Sequence, residues 1–104
     1  MTYKCISIQK SHTLIQTKNV TLIDIRDSNS YMKNNIKGSI NISNDNIHDV
    51  IATADKNKPL IIYCYHGNSS KNAAEYFYNE GFQESYSMDG GFEEWVLAYP
   101  SEEI

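Results

Sequence analysis

Residues 59–77 read PLIIYCYHGNSSKNAAEYF, and they hold the arrangement in this chain best suited to chemistry. An apolar run ends in Cys64. A polar loop follows, Tyr65-His66-Gly67-Asn68-Ser69-Ser70, and a helix-like segment begins behind it. The reactive form of cysteine is the thiolate. A free thiol titrates near ~8.5, and helix N-termini and nearby cations bring that value down. Gly67 and Asn68 are residue types that tolerate left-handed backbone angles. A loop curled that way turns successive N–H groups inward and forms an anion nest. The N-terminus of a helix over 69–80 adds free amides and a partial positive charge. Together they favour an ionised, nucleophilic sulfur.

Lys71 fits the same picture. The helix dipole disfavours a cation in the first turn, so a lysine there makes sense facing an anion in the loop. The alternative is a solvated lysine paired with Glu75. His66 is either a second cation or general acid/base, or a loop residue in water. Tyr65 lines the pocket or packs. Ser69 and Ser70 are expected to cap the helix first and to contact substrate second. Cys5 has no comparable setting and reads as core or surface filler.

The elements that must position Cys64 follow from periodicity and capping. Residues 5–8 alternate like a short strand, and Ser7 caps a helix over 9–16. VTLIDI over 20–25 is β-branched and apolar, as in a strand covered on both faces. Asp27, Ser28 and Asn29 offer caps for a short helix through Met32. Gly38 marks a turn before a brief strand over 39–42. Asn44 or Asp45 caps a helix over 47–54, and residues 55–59 form a loop. The most apolar strand is 60–64. Ala73, Ala74, Phe77 and Tyr78 fall at helical spacing on the segment that Gly81 terminates. A last strand spans 84–88, and Asp89-Gly90-Gly91 turns into a helix carrying Phe92, Trp95 and Val96. Alternating strands and helices predict an α/β fold, a mostly parallel central sheet of about five strands with helices on both faces. Ligands of such sheets bind beyond the carboxyl ends of the strands, where Cys64 stands.

Bulk properties narrow the function. A chain of 104 residues with 40% hydrophobic and 21% charged residues suits one globular domain over 1–104. No apolar run approaches a membrane span, and nothing reads as a secretory signal, so a cytoplasmic protein is expected. A net charge of -4 argues against nucleic acid as the main partner. Attraction for an anionic substrate must then come from a local field. His12, His48 and His66 are scattered and no C-x-x-C occurs, so metal-ligand spacing is absent. A Cys5–Cys64 disulfide is not expected in a reducing cytosol.

CYHGNSSKNAAEYF (64–77), YSMDGGFEEW (86–95) and LIDIRD (22–27) resemble the active loop with its following helix, the closing motif and the early strand of single-domain rhodaneses of the thiosulfate sulfurtransferase type. NIKGSINI (35–42) departs from the family's His-Ile-x-Gly-Ala, with Asn35 and Ser39 in place of the histidine and alanine. The resemblance implies two-step covalent catalysis without a cofactor. Cys64 takes the outer sulfur of thiosulfate as a persulfide, with Tyr65 to Ser70 as the cradle and Lys71 as the anion contact. The acceptor is cyanide or a thiol, including that of a thioredoxin-like protein. Asp24 and Arg26 read as a structural ion pair, Phe92 and Trp95 as core. Two other activities compete. A persulfide relay module would use the same thiol with partner proteins. A phosphatase of the Cys-x5-Arg kind would need an arginine where Ser70 stands, and Lys71, one place later, is only a point charge.

Overall fold

The computed structural model describes residues 2–17 and 19–100. Its strands are β1 (Lys4–Ile6), β2 (Thr21–Asp24), β3 (Ile40–Asn41), β4 (Leu60–Tyr63) and β5 (Ser85–Met88). Its helices are α1 (Ile8–Gln16), α2 (Ser28–Lys33), α3 (Ile47–Thr53), α4 (Ser69–Asn79) and α5 (Gly91–Ala98). The strands pair in the order β1-β5-β4-β2-β3, every pair parallel. The expected α/β sheet of five strands is therefore present, with β4 at its centre.

Period-two alternation explains the two layers of core. Leu22, Ile61, Tyr63 and Met88 point to one face and pack with Ile8 of α1 and Phe92 and Trp95 of α5. Ile23, Leu60 and Ile62 point to the other and pack with Ala74 and Phe77 of α4, Ile47 and Val50 of α3, and Phe82. All four residues of β4 are buried, as a central parallel strand demands. Each large side chain so buried contributes about 1.5–3 kcal/mol.

Local signals placed most helix ends. The Ser7 hydroxyl accepts from the Lys10 amide at 3.1 Å, and Asp27 caps α2 by accepting from the Ser30 amide at 3.1 Å. Gly81, at φ +106°, follows the end of α4. The α3 cap differs from expectation. Asn46 holds that position, not Asn44 or Asp45, and its side chain bonds the Ser43 amide and the Asn41 carbonyl instead of the helix. Those bonds tie α3 to the end of β3. In the 35–42 corner the two departures from the family pattern are bonded. Asn35 Nδ2 donates to Tyr31 O at 2.9 Å, and Ser39 Oγ accepts from the buried Tyr63 hydroxyl at 3.1 Å.

Topology sets the site. The chain leaves β2 toward β3 on one side and leaves β4 toward β5 on the other. Since β2 and β4 are neighbours, the strand order reverses between their carboxyl ends, the ligand position of such sheets. Cys64 lies one residue past β4 and Arg26 two past β2. Asp24 is wholly buried and accepts from Arg26 Nη2 at 2.7 Å, from its Nε at 3.0 Å and, through its other oxygen, from the Arg26 amide at 2.7 Å. Arg26 Nη2 also donates to Asn34 O at 2.6 Å, which ties the β2 end to the segment after α2. The Asp24 bond and charge hold the guanidinium above its ordinary value although burial pulls the other way. Asp24→Ala leaves that cation buried and unpaired, so a loss of about 3–5 kcal/mol of unfolding free energy is expected in urea titration. A loss below about 1 kcal/mol, the range of exposed pairs, would show that the pair does not hold this end of the sheet.

Candidate active site

Cys64 Sγ accepts the Gly67 amide at 3.2 Å and the Ser70 amide at 3.4 Å, and the Ser70 hydroxyl lies 3.5 Å away. The side chain is 7% exposed. Burial is the largest influence on the thiol and raises its protonation point. The Ser70 hydroxyl and the amides of Ser70, Gly67 and His66 outweigh it, so the thiol is held below its ordinary value. A protonated sulfur would donate to Ser70 Oγ, whereas a thiolate accepts all of these bonds.

The loop shape has a specific cause. Gly67 sits at φ +91°, and a Cβ there would meet Gly90 N at 2.9 Å and Met88 O at 3.2 Å. Only glycine fits this close passage of the loop over the end of β5. Asn68 is not left-handed: it lies at φ -93° and occupies the N-cap of α4 without a side-chain bond to the helix. The expected serine caps are likewise absent. Ser69 is exposed, and Ser70 is wholly buried with its hydroxyl directed to Cys64 and to Ser87, the latter at 2.7 Å. The sulfur itself accepts a first-turn amide, so Cys64 stands in for the capping side chain of α4.

A second helix acts on the loop from outside. The Phe92 amide donates to Cys64 O at 2.8 Å and the Glu93 amide to Tyr65 O at 3.0 Å. These are free amides of the first turn of α5. Gly91, at φ +62°, makes the approach possible, because a Cβ there would lie 2.5 Å from Tyr65 O and 2.6 Å from Cys64 O. Sequence reasoning treated Gly91 as a turn and Phe92 as core. The DGG doublet ahead of the helix was the signal that could have revealed this contact.

The remaining loop residues spread outward. Tyr65 is 43% exposed, its hydroxyl donates to Ser30 Oγ, and its ring lies under the Arg26 guanidinium at 5.3 Å. His66 Nδ1 is 3.0 Å from Glu93 Oε1, both side chains being exposed. Lys71 is exposed, and its amide donates to Asn68 O at 3.2 Å. Among the described residues its ammonium has neither the Glu75 partner nor a bond to Cys64. The structure thus gathers Cys64, Gly67 and Ser70 around one sulfur, with the His66 amide, and leaves the side chains of Tyr65, His66, Asn68, Ser69 and Lys71 at the rim. Both cysteines are free thiols.

Fold and loop together define a rhodanese-like domain: residues 7–98 match the Rhodanese-like domain family, and the chain belongs to it. A curated relative named thiosulfate sulfurtransferase GlpE, from Ectopseudomonas mendocina, is 46% identical over 100 residues, covering 96% of this chain and 91% of its own. The protein of that name from Pseudomonas paraeruginosa is 51% identical over 81 residues, 78% of this chain and 74% of its own. The solved rhodanese-related protein of Thermoplasma volcanium superposes with a TM-score of 0.77 at 25% identity, covering 92% of this chain and 93% of that one.

The depressed thiol has a definite pH signature. The folded chain binds fewer protons at Cys64 than the unfolded one. The resulting stabilisation is fully present above the unfolded thiol value and is lost as pH falls through the folded value. Alkylation of Cys64 by iodoacetamide is expected to show its midpoint below ~8.5. Gly91→Ala, which pushes α5 off the loop carbonyls, should move that midpoint up by about one unit or more, given the worth of hydrogen bonds to a charged group. An unchanged midpoint in Gly91→Ala would sever the link between α5 and the sulfur.

Proposed function

We propose that this protein is a thiosulfate sulfurtransferase with Cys64 as its nucleophile. The observation that carries the reading is the ring of donors on Cys64 Sγ: the Gly67 and Ser70 amides and the Ser70 hydroxyl, at the carboxyl end of the central strand. Relatives that match nearly all of the chain bear the same activity in their names.

The thiolate attacks the outer sulfur of thiosulfate. The sulfur–sulfur bond of the substrate breaks with its electron pair on the departing sulfite. Cys64 is left as a persulfide whose terminal sulfur carries the negative charge, so total charge is conserved. An acceptor nucleophile then attacks that terminal sulfur and returns Cys64 to the thiolate. Donors fixed before the reaction stabilise an anionic sulfur without reorganisation, which is the larger part of such catalysis. No group beyond the chain's own residues is needed. The substrate is a small anion, and the acceptor is cyanide or a thiol, with a thioredoxin-like protein as the macromolecular case. Residues 1–104 act as a single rhodanese domain. The cytoplasm is the compartment in which such a thiol stays reduced. Among the described residues no helix is long and apolar enough to cross a membrane.

Phosphoryl transfer is a poorer fit. The chain's sole arginine, Arg26, is buried and engaged by Asp24 and Asn34 O. Ser70 stands at the position where the phosphatase loop needs a bidentate cation.

Two measurements test the proposal. Incubation with thiosulfate should add ~32 Da to the intact protein, and cyanide should remove it, as a covalent sulfur intermediate requires. Cys64→Ser should neither gain the mass nor turn over, and sulfur retained by that variant would refute the assigned nucleophile. Lys71 is proposed as the rim cation that draws thiosulfate in. Lys71→Ala should raise KM by roughly three- to tenfold with kcat unchanged, the pattern of lost uniform binding. An unaltered KM would make it a surface lysine only.

A further inference from the structure

Strand β5 is unusual for a buried strand. Its residues on the α4 face are Ser85 and Ser87, both buried, in register with the apolar Leu60 and Ile62 of β4. Ser85 is accounted for locally, since its hydroxyl donates to Ala74 O of α4 at 2.7 Å. Ser87 is not. Its described hydroxyl bond is to the Ser70 hydroxyl, with the oxygens 2.7 Å apart and both residues wholly buried. Ser70 Oγ in turn lies 3.5 Å from Cys64 Sγ. The three atoms form one chain, Ser87 Oγ, Ser70 Oγ, Cys64 Sγ.

That chain has two possible directions. Running toward the sulfur, Ser87 donates to Ser70, Ser70 donates to the thiolate, and each hydroxyl hydrogen has an acceptor. Running away, the thiol donates to Ser70 and Ser70 to Ser87. The Ser87 hydrogen is then left in the core with no acceptor among the described residues, which is unfavourable. Hydroxyl groups bonded in series also polarise one another, so the last donor in the chain is strengthened.

We propose that Ser87 is a positioning residue for sulfur transfer: its hydroxyl donates to Ser70 and turns the Ser70 hydroxyl hydrogen onto Cys64, which biases that sulfur toward its anionic form. The inference rests on the reading of Cys64 as the nucleophile. Burial, which raises it, and the hydrogen bonds from Ser70, Gly67 and His66, which lower it, are the largest influences on the protonation of Cys64. The charged and titratable groups on the surrounding elements are engaged or exposed. Arg26 is paired with Asp24, His66 with Glu93, and the Tyr63 hydroxyl bonds Ser39. Lys71 on α4, Asp89 after β5, and Lys4 and Cys5 on β1 are exposed.

The test is a double-mutant cycle read by the pH dependence of Cys64 alkylation, in a Cys5→Ser background so that one thiol reports. Ser70→Ala should raise the midpoint by about one unit, the worth of one bond to a charged group. Ser87→Ala should raise it by about 0.1–0.3 unit, the share expected of cooperative strengthening. In the Ser70→Ala background Ser87→Ala should add nothing, because its effect travels through Ser70. No shift in the parent, or the same shift in both backgrounds, overturns the inference. If Ser87→Ala does not fold, Ser87→Thr and Ser87→Val, alike in shape and different in the hydroxyl, replace it. A lower midpoint for Thr supports the proposal, and equal midpoints overturn it. Sulfur loading of the parent by thiosulfate, read by intact mass, judges the nucleophile separately. Loading without coupling removes the role of Ser87 alone, and coupling without loading removes the sulfurtransferase reading and, with it, the part of Ser87 in sulfur transfer.

Discussion

The constraint on which the site depends is the planarity of the trans peptide bond. Its C=O and N–H point in opposite directions, so fixing one fixes the other. All peptide bonds of the described chain are trans. The first-turn amides of α5 hold the carbonyls of Cys64 and Tyr65 at 2.8 and 3.0 Å. The N–H groups of the same two peptide units, those of Tyr65 and His66, must therefore point away from α5. The loop becomes one-sided: carbonyls outward to the last helix, amides inward. Two helix N-termini thus divide the work. That of α5 binds the loop's oxygens, and that of α4 presents the Ser70 amide to the sulfur. Without Gly91 the first could not approach, and without Gly67 the loop could not pass the end of β5.

A buried cation holds these parts in register and, in doing so, bears on which chemistry the site supports. The Arg26 guanidinium lies 4.0 Å from the Phe92 ring centroid, 5.3 Å from that of Tyr65 and 5.6 Å from that of Tyr63. It links the ends of β2 and β4, the active loop and α5 through cation–π contacts, each worth about 0.5–2 kcal/mol depending on exposure. Its hydrogen bonds go to Asp24 and Asn34 O. An arginine spent on structure cannot clamp a phosphoryl group. What remains at Cys64 are neutral donors, suited to a polarisable sulfur anion. Since the net charge is -4, an anion at this site meets a favourable field only locally, from this ring of amides.

The sequence made the scaffold legible because the scaffold follows from local patterns. The apolar runs TLID and LIIY, the Ser7 and Asp27 caps and the Gly81 stop each depend on residues near one another. Cys64 was legible for the same reason, as a thiol between an apolar strand and a helix start. The misplaced features are those where a distant group won a competition. Ser69 and Ser70 are good capping residues, but a capping amide goes to whichever acceptor is best placed, and the sulfur six residues back was placed better. Asn46 was drawn to Ser43 and Asn41 in the same way. The two bonds of α5 with the loop each join residues 28 positions apart, and the Ser70–Ser87 bond joins residues 17 apart. No periodicity encodes such pairs, because they exist only once the sheet order is set.

Burying a thiol works against its ionisation, and desolvation is the largest influence on Cys64. The arrangement makes sense when the same bonds are seen to serve the fold. The Ser70 amide would need an acceptor in any α/β domain of this kind, since a helix start leaves its first amides unpaired. Here the acceptor is the Cys64 sulfur, so capping the helix and ionising the thiol are one interaction. The helix is best capped when the sulfur is anionic, and the anion is best solvated when the helix is formed. An oxygen at the same position can still accept these amides, whereas a methyl group cannot. The thiol is therefore separable from the fold by exchange for serine, and inseparable from it by exchange for alanine.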